Sequence, residues 1–438
     1  MALSLAEFLE LGPATSKDIQ AATGLSQAAV SRQLRRMGHR VITIRSGRTP
    51  RYVLTRNAFG SSDRLPLAMV DAHGRADLVA HIRPLVTGGF YVEPSTKTSL
   101  LMGDSGNGLY DDLPYFLQDL APQGFIGRLI AKKMHALCPE FPSDPKWWTT
   151  DHIGRFLISN GDDLPGNLKF GEQSLLRVHR PPVAVDDAEY PRFAEETMRG
   201  EIPGSSAGGE QPKFAAFSAQ SASHVIVKFS PPGDTGISRR WRDILITEHH
   251  AMEALRGQGL PAARTRLLEV RDRLFLESQR FDRSGQHGRM SMISLASIDA
   301  EFVGSGSNWP RVMKALAERE LVCPKQARDA EFLWCFGKLI HNTDMHLGNL
   351  SLAMDGNAFR LLPVYDMCAM GFAPRGSGEM PPYAFTPQRP KRLVLDDETY
   401  DAARRLAMEF WNSVARDERI SEELKKFLSA GNPVEMME

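Results

Sequence analysis

The residues whose types and spacing could do chemistry are an aspartate, an asparagine and a second aspartate late in the chain. Asp344 and Asn349 stand in a D-x₄-N arrangement, and Asp366 follows the apolar run LLPVY. A carboxylate that accepts a hydroxyl proton, with an amide and a second carboxylate that hold Mg²⁺, is a set that phosphoryl transfer uses. The spacing therefore predicts a loop, a short hairpin and a metal-binding aspartate arranged for phosphoryl transfer from ATP.

A metal hydrolase is the rival interpretation of the same segment. It would use His341, Asp344 and His346 as ligands. The H-x₂-D-x-H spacing is not a recognised metal-site signature, and it gives Asn349 and Asp366 no role. We therefore favour the kinase-like interpretation.

A lysine in an apolar strand supplies the second part of the pattern. Val225 and Val227 alternate with Lys228 in the run HVIVKFSP, which places the lysine near the end of a buried strand. A buried lysine is costly unless it faces an anion or a carboxylate. Glu248, in the first turn of the amphipathic run ITEHHAMEALRGQGL, could pair with it. Alternatively, Glu248 is only an acid favourable to the helix dipole.

A run of small residues between Pro203 and Lys213 could approach a phosphate through its backbone N–H groups. It is not a Walker A loop, because Glu210 stands where that motif needs lysine and Pro212 would obstruct the following helix. An ordinary turn is the alternative. The candidate ATP contacts are Ser206, Ala207, Gly208 and Gly209.

The segment LFLESQRFDR is an apolar strand that runs into a polar linker. In a two-lobed nucleotide enzyme such a linker contacts the base. We expect Gln279 and Phe281 to contact adenine and Asp282 to lie near the ribose. Taken alone, the segment would be an edge strand and a turn.

The first 56 residues predict helix, turn, helix and an arginine-tipped hairpin, the winged helix-turn-helix pattern. Ser16 and Ser26 are predicted to cap the second and third helices. Residues 1–56 contain nine Lys and Arg against three Asp and Glu, a net charge of +6 on a chain of zero net charge. Alternatively, the unit only packs against the rest of the chain. The candidate DNA contacts are Ser31, Arg32, Arg35, Arg36, Arg45, Arg48 and Arg51.

The bulk composition is that of an ordinary globular protein of several domains. The chain has 438 residues, of which 42% are hydrophobic and 24% charged. Its four cysteines form no C-x-x-C pair, which favours reduced thiols over disulfides or zinc. The sequence has no secretory signal and no apolar run of membrane-spanning length, so we expect a cytoplasmic protein with no membrane partner.

These segments together resemble the HipA family of bacterial serine/threonine kinase toxins, and most closely its YjjJ (HipH) type with a fused N-terminal helix-turn-helix. The resemblance covers roughly residues 85–425. It is densest in HNTDMHLGNLSL, VYDM, VIVK, SSAGGEQPK and QRFDR. It implies an α+β, HipA-type, protein-kinase-like bilobal fold with an N-terminal winged helix-turn-helix domain. The predicted domains are 1–56 for DNA binding, 68–185 for a HipA-like N-terminal subdomain and 186–438 for a catalytic core with a helical C-terminal lobe.

The resemblance also implies roles for the residues. Asp344 would be the catalytic acid–base residue, Asn349 and Asp366 the Mg²⁺ ligands, and Lys228 the ATP lysine. The family's autophosphorylated serine falls on Ser205, with Ser206 next to it. Two departures are Gln279, which replaces an acid in the linker, and an extra residue in the Gly-rich loop before Lys213.

The resemblance further implies partners. Family members pair with a DNA-binding antitoxin and act on a translation component. We therefore expect a Mg²⁺–ATP-dependent serine/threonine protein kinase of toxin–antitoxin type that carries its own DNA reader. The alternatives are a DNA-binding regulator whose kinase-like part only senses nucleotide, and a kinase for a small molecule.

Overall fold

The fold is described by a computed structural model for residues 3–44, 49–95, 99–200, 211–375, 379–389 and 397–436. It contains an N-terminal module (residues 3–56), a middle module (residues 61–179), a sheet lobe (residues 184–279) and a helical lobe (residues 283–436). No helix within the described ranges is long and apolar enough to cross a lipid bilayer.

The N-terminal module packs short helices against a small antiparallel sheet in the order β1-β3-β2. Ser26 caps the third helix as predicted, by accepting from the Ala29 N–H. The predicted Ser16 cap is wrong: Thr15 is the cap of the second helix, because its side chain exchanges hydrogen bonds with Asp18 in a capping box. The elements are α1 (Leu5–Glu10), β1 (Ala14–Thr15), α2 (Ser16–Thr23), α3 (Gln27–Met37), β2 (Val41–Ile44) and β3 (Arg51–Leu54).

The middle module is built on an antiparallel sheet in the order β7-β6-β5-β4-β8. It joins the N-terminal module without a loose linker, because the backbone of Arg56 donates to Pro84, the hydroxyl of Thr55 donates to Asp63 and the side chain of Arg83 donates to the carbonyl of His39. Its elements are β4 (Leu65–Val70), β5 (Ala76–Pro84), β6 (Phe90–Pro94), β7 (Leu109–Tyr110), α4 (Tyr115–Gln118), α5 (Gly124–Leu137), α6 (Thr150–Asn160), β8 (Leu168–Phe170) and α7 (Glu172–Leu176).

The sheet lobe has a twisted sheet in the order β12-β13-β11-β10-β9, with one long helix, α9, against it. Its apolar interior is a cluster of its own that includes Tyr190, Phe214 and Phe275. The elements are β9 (Ala184–Val185), α8 (Tyr190–Arg199), β10 (Lys213–Ser218), β11 (Ser223–Phe229), α9 (Gly236–Gly257), β12 (Thr265–Val270) and β13 (Arg273–Gln279).

The helical lobe carries a small sheet in the order β16-β17-β18 next to its helices. Its hydrophobic core continues into the middle module, since Phe116 and Phe336 belong to one cluster of buried residues. The elements are β14 (Arg283–Ser284), β15 (Gly288–Arg289), β16 (Ile293–Ser294), α10 (Leu295–Phe302), α11 (Trp309–Glu318), α12 (Pro324–Leu339), β17 (Ser351–Asp355), β18 (Ala358–Leu361), α13 (Asp397–Ala415) and α14 (Glu422–Ser429).

Candidate functional site

A cleft lies between the sheet lobe and the helical lobe. Together with the solvent at its mouth, it encloses about 930 Å³ that protein atoms do not occupy. The sheet lobe, the linker that follows it, the helical lobe and the middle module all contribute to its walls. The lining residues include Gln123, Lys213, Lys228, Gln279, Phe281, Asn349, Tyr365 and Asp366.

Lys228 is held at the cleft by two carboxylates. Its Nζ lies 2.6 Å from both carboxylate oxygens of Glu248 and 2.5 Å from Oδ1 of Asp366. Burial alone would lower the pKa of Lys228, but Asp366 and Glu248 outweigh it and raise the pKa above its ordinary value. The predicted Lys228–Glu248 pair is therefore confirmed, because α9 presents the carboxylate to the end of β11.

Asp366 has a left-handed backbone conformation at the base of the cleft. Its φ is +53°, in the left-handed region that side chains other than glycine, asparagine and aspartate seldom adopt. Although burial raises the pKa of this carboxyl, Lys228 and Lys213 lower it below the ordinary value. The carboxylate is thus held ionised.

The loop that carries Asp344 and Asn349 is fixed by its own hydrogen bonds. Asn342 Oδ1 accepts from the Asp344 N–H at 3.0 Å, and Asn349 Nδ2 donates to the Asp344 carbonyl at 2.7 Å. Asn342 also donates to the carbonyl of Asp366 at 3.4 Å. The amide side chain of Asn342 therefore connects the loop to the segment after β18 that bears Asp366. Sequence reasoning gave no role to Asn342, although it precedes Asp344 by only two positions.

The described residues contain no group of three His, Cys, Asp or Glu side chains that could hold a metal ion. His341 lies in an aromatic cluster, with its ring centroid 4.6 Å from Phe372 and 4.0 Å from Phe385. Burial lowers the pKa of His341 to about 4. The hydrolase interpretation, which needs His341 beside Asp344 and His346, is not supported by this arrangement.

Two of the three linker residues line the cleft as side chains that a base could contact. Gln279 ends β13 and is exposed, and Phe281 packs against Tyr365 with ring centroids 5.7 Å apart. Asp282 also borders the cleft, but its carboxylate is engaged by the side chains of Arg280 and Arg283 and by the backbone N–H of Gly166. These contacts hold the linker in place, and the expected contact of Asp282 with the ribose stays a prediction.

Lys213 is the cleft residue that the sequence reasoning undervalued. It faces Lys228 in the register of β10 and β11 and is 3% exposed. Burial and the like charge of Lys228 lower its pKa, against the opposing effect of Asp366. The strand pairing, which juxtaposes two lysines, is what the sequence did not reveal. The predicted sites Ser205, Ser206, Ala207, Gly208 and Gly209 lie outside the described residues.

The third helix of the N-terminal module carries an exposed basic face. Arg32, Arg35 and Arg36 are exposed, and Arg35 donates to Oγ of Ser31 at 3.2 Å. Arg51 is exposed at the start of β3. Arg45 and Arg48 lie outside the described residues.

Comparisons with known proteins agree with the expected family. Residues 61–179 match the YjjJ-like toxin, middle domain, and residues 205–429 match the HipA-like C-terminal domain. The chain is 36% identical to the toxin YjjJ of Escherichia coli (strain K12) over 428 residues, which cover 95% of this chain and 94% of that protein.

A solved structure shows the same fold. It is a chain from the Shewanella oneidensis MR-1 complex of the toxin–antitoxin proteins HipA and HipB with operator DNA. The TM-score is 0.57 at 18% identity, over 84% of this chain and 94% of that chain. The predicted mixed α and β fold of HipA type is confirmed by this similarity. The chain belongs to the HipA-like family and is a homologue of the toxin YjjJ.

Proposed function

We propose that this protein is a Mg²⁺–ATP-dependent kinase that phosphorylates a serine or threonine hydroxyl of a protein. One observation carries the proposal: Lys228, Asn349 and Asp366 line one cleft, and Asp344 lies beside Asn349. These residues come from strand β11, from the loop after α12 and from the segment after β18. A domain that only sensed nucleotide would not need all four of these side chains together.

The donor set fits a magnesium ion and a triphosphate. Magnesium takes oxygen ligands, usually one or two from carboxylates together with water and phosphate oxygens. Asp366 offers an ionised carboxylate, and Asn349 offers Oδ1 because its Nδ2 is engaged with Asp344. Lys213 and Lys228 place two ammonium groups opposite each other, an arrangement that a polyanion would relieve.

The residues of this chain would act in distinct ways. Asp344, whose side chain is 48% exposed, would accept the proton of the substrate hydroxyl. Lys228 would exchange its contact with Asp366 for a phosphate oxygen and keep its contact with Glu248. When bound, Mg²⁺ would neutralise phosphate charge and ATP would supply the phosphoryl group.

The family relationship supports a toxin–antitoxin context. YjjJ is a toxin by name, and the Shewanella structure is a HipA–HipB complex with operator DNA. We infer that this chain has a protein substrate, which family resemblance suggests to be a translation component, and an antitoxin partner. We further infer that Ser205, or the adjacent Ser206, is phosphorylated by the enzyme itself.

We also propose that the N-terminal module is a winged helix-turn-helix that binds DNA. Its support is the set of exposed arginines on α3, the helix that follows the α2–α3 turn. Arginine side chains on such a helix can contact phosphates and base edges in the major groove.

Incubation of the full chain with Mg²⁺–ATP, followed by intact-mass analysis, tests the kinase proposal. We expect added phosphate in the wild type and in Asp355→Ala, a control that removes an exposed carboxylate of the same lobe. Asp344→Ala should incorporate none. If the wild type binds ATP tightly yet labels neither itself nor any protein of a bacterial lysate, the protein is a nucleotide sensor and the kinase proposal is wrong.

For DNA binding, the triple change of Arg32, Arg35 and Arg36 to Ala should abolish retention of the full chain on duplex DNA at low salt. The matched control changes Arg192, Arg256 and Arg375 to Ala, three arginines outside the N-terminal module. If the α3 variant is retained on DNA as well as the control variant and the wild type are, α3 is not the DNA contact.

A further inference from the structure

His346 has no role in the reaction as described so far, yet its ring is held in one orientation. Its Nδ1 accepts from the backbone N–H of Gly348 at 3.1 Å, so the side chain caps the short turn Leu347–Asn349. The ring packs so closely on Gly348 that a Cβ there would lie 2.9 Å from Nδ1. The backbone carbonyl of His346 accepts a hydrogen bond from Nε1 of Trp309 at 2.9 Å. The backbone is therefore held by Trp309, and the ring, although its side chain is 56% exposed, is oriented by its hydrogen bond and its contact with Gly348.

This geometry decides which ring nitrogen carries the proton. An imidazole nitrogen that accepts a hydrogen bond is unprotonated, so the neutral ring carries its proton on Nε2. Nε2 lies 3.8 Å from Oδ1 of Asp344. This is longer than a hydrogen bond, but such contacts in ligand-free enzymes often tighten only when substrate is bound. A donor thus faces the proposed proton acceptor.

The two oxygens of Asp344 have different neighbours. Oδ2 lies 3.5 Å from Nδ2 of Asn349, whereas Oδ1 faces His346. The carboxylate is half exposed, and a half-exposed side chain has rotamer freedom to lose. Two neighbours on opposite oxygens would restrict that freedom and still leave a lone pair on each oxygen for a proton.

We propose that His346 is a positioning residue for Asp344, through a contact from Nε2–H to Oδ1 that orients the carboxylate toward the substrate hydroxyl. The proposal rests on the proposed kinase function, which it deepens. It differs from a purely structural role, in which the ring would serve only to cap the turn that bears Asn349.

Two substitutions separate the orienting contact from the cap. In His346→Asn, Oδ1 can replace Nδ1 as the acceptor for Gly348, because asparagine is a favoured cap, but the side chain is too short to reach Asp344. In His346→Gln, the longer amide can place a donor near Asp344. We expect His346→Asn to slow phosphate transfer at saturating ATP by roughly 10- to 100-fold. The ATP concentration for half-maximal rate should stay within about twofold, and His346→Gln should recover part of the rate.

A spectroscopic readout is independent of activity. Nitrogen-15 NMR of labelled histidine in the full chain should show His346 with a bare Nδ1 and a protonated Nε2, the signals being assigned by their loss in His346→Gln. A ring protonated on Nδ1 would overturn the proposal. So would a wild-type rate in His346→Asn, or a rate in His346→Gln that falls as far as in His346→Asn.

The kinase function and the positioning role of His346 can be tested separately. If the wild type transfers no phosphate, the proposed function is wrong, and the tautomer of His346 then decides by itself whether the contact to Asp344 stands. If the wild type transfers phosphate and His346→Asn does so equally fast, only the positioning role is wrong.

Discussion

The protein buries charged side chains in two networks that differ in how far their central carboxylate is exposed, 24% for Asp366 and 5% for Asp282. The cleft network consists of Lys228, Glu248 and Asp366. The linker network consists of Arg280, Asp282, Arg283 and Asp163, and it joins the linker after β13 to the middle module. Both networks place ions where burial alone would penalise the charged forms.

The linker network is buried except at Asp163, whose side chain is 47% exposed. The side chains of Arg280, Asp282 and Arg283 are at most 5% exposed. Burial alone would raise the pKa of Asp282, but Arg280 and Arg283 hold it well below the ordinary value. The Asp282 carboxylate is engaged by both arginines and by the backbone N–H of Gly166, although Nε of Arg283 is buried without a hydrogen-bond partner among the described residues. This arrangement suits a role in fixing the position of Gln279 and Phe281.

The cleft network is open on one side. The side chain of Asp366 is 24% exposed, it borders the cavity and its backbone has a positive φ. A ligand could therefore replace one protein contact of Lys228 without leaving an ion stranded. We infer that a buried charged side chain can take part in catalysis or ligand binding when a ligand can replace one of its protein partners. Where no partner can be replaced, the charged side chain has a structural role.

The largest effect should come from opening the cleft network. Asp366→Asn should reduce phosphate transfer by about a thousandfold or more, because it removes the proposed anionic metal ligand. Stability should change little, because Lys228 keeps its contacts with Glu248. Phosphate incorporation and urea denaturation, measured on the same samples, check both parts. A large loss of stability with transfer preserved would reverse the proposed roles of the two networks.

The linker network should respond in the opposite sense. Asp282→Asn leaves two nearly buried arginines short of a partner, and breaking such a network costs about 3–5 kcal/mol of unfolding free energy. The control Asp187→Asn removes a half-exposed partner of Arg266 and should cost about 1 kcal/mol or less. Denaturation midpoints measure the difference, and equal costs would show that the burial of the linker network does not raise the cost of breaking it.

The partly buried imidazole of His341 should make the free energy of unfolding depend on pH. Burial lowers the pKa of His341 to about 4, whereas an unfolded histidine titrates near 6.5. The unfolded chain therefore binds more protons below about pH 6.5, so stability is complete above that value and is lost as the pH falls toward 4. His341→Phe should flatten this limb, by at most about 3 kcal/mol. An unchanged pH dependence in the variant would contradict the neutral assignment.

The smallest effect should come from a surface ion pair. Arg192 pairs with Glu189 and Glu196 on α8, where all three side chains are partly exposed. Arg192→Ala should leave the denaturation midpoint and phosphate transfer at wild-type values, because solvent screens exposed pairs. A clear shift in the midpoint would mean that distance, without burial, decides which ion pairs matter in this protein.

Local patterns predicted much of the fold and part of the site. The strand that carries Lys228 and the loop between Asp344 and Asn349 were readable because each depends on residues close in sequence. The helix that carries Glu248 was also predicted, but it begins at Gly236, so Glu248 lies in its middle and the expected place in the first turn is wrong. The order of helices and strands over residues 3–56 was readable for the same reason, although the second helix begins after Thr15 and not after Ser16.

The rest depends on contacts between distant segments. The contacts of Asp282 were not readable from the sequence, because one of its partners, the N–H of Gly166, lies 116 positions away in the middle module. Of two adjacent tryptophans, Trp147 is 68% exposed and Trp148 is buried, a difference that their shared residue type does not specify. The pairing of Lys213 with Lys228 follows from strand register, which a single sequence does not specify. Composition and periodicity carry no information of this kind.

The most direct test of the account is the Mg²⁺ dependence of ATP affinity in the full chain, measured by titration calorimetry with and without the metal. The account predicts that Mg²⁺ tightens ATP binding by the wild type and leaves binding by Asp366→Asn nearly unchanged, because Asp366 is the proposed charged ligand. Equal tightening in both proteins, or none in the wild type, would contradict the claim that the groups around this cleft hold a magnesium-bound nucleotide.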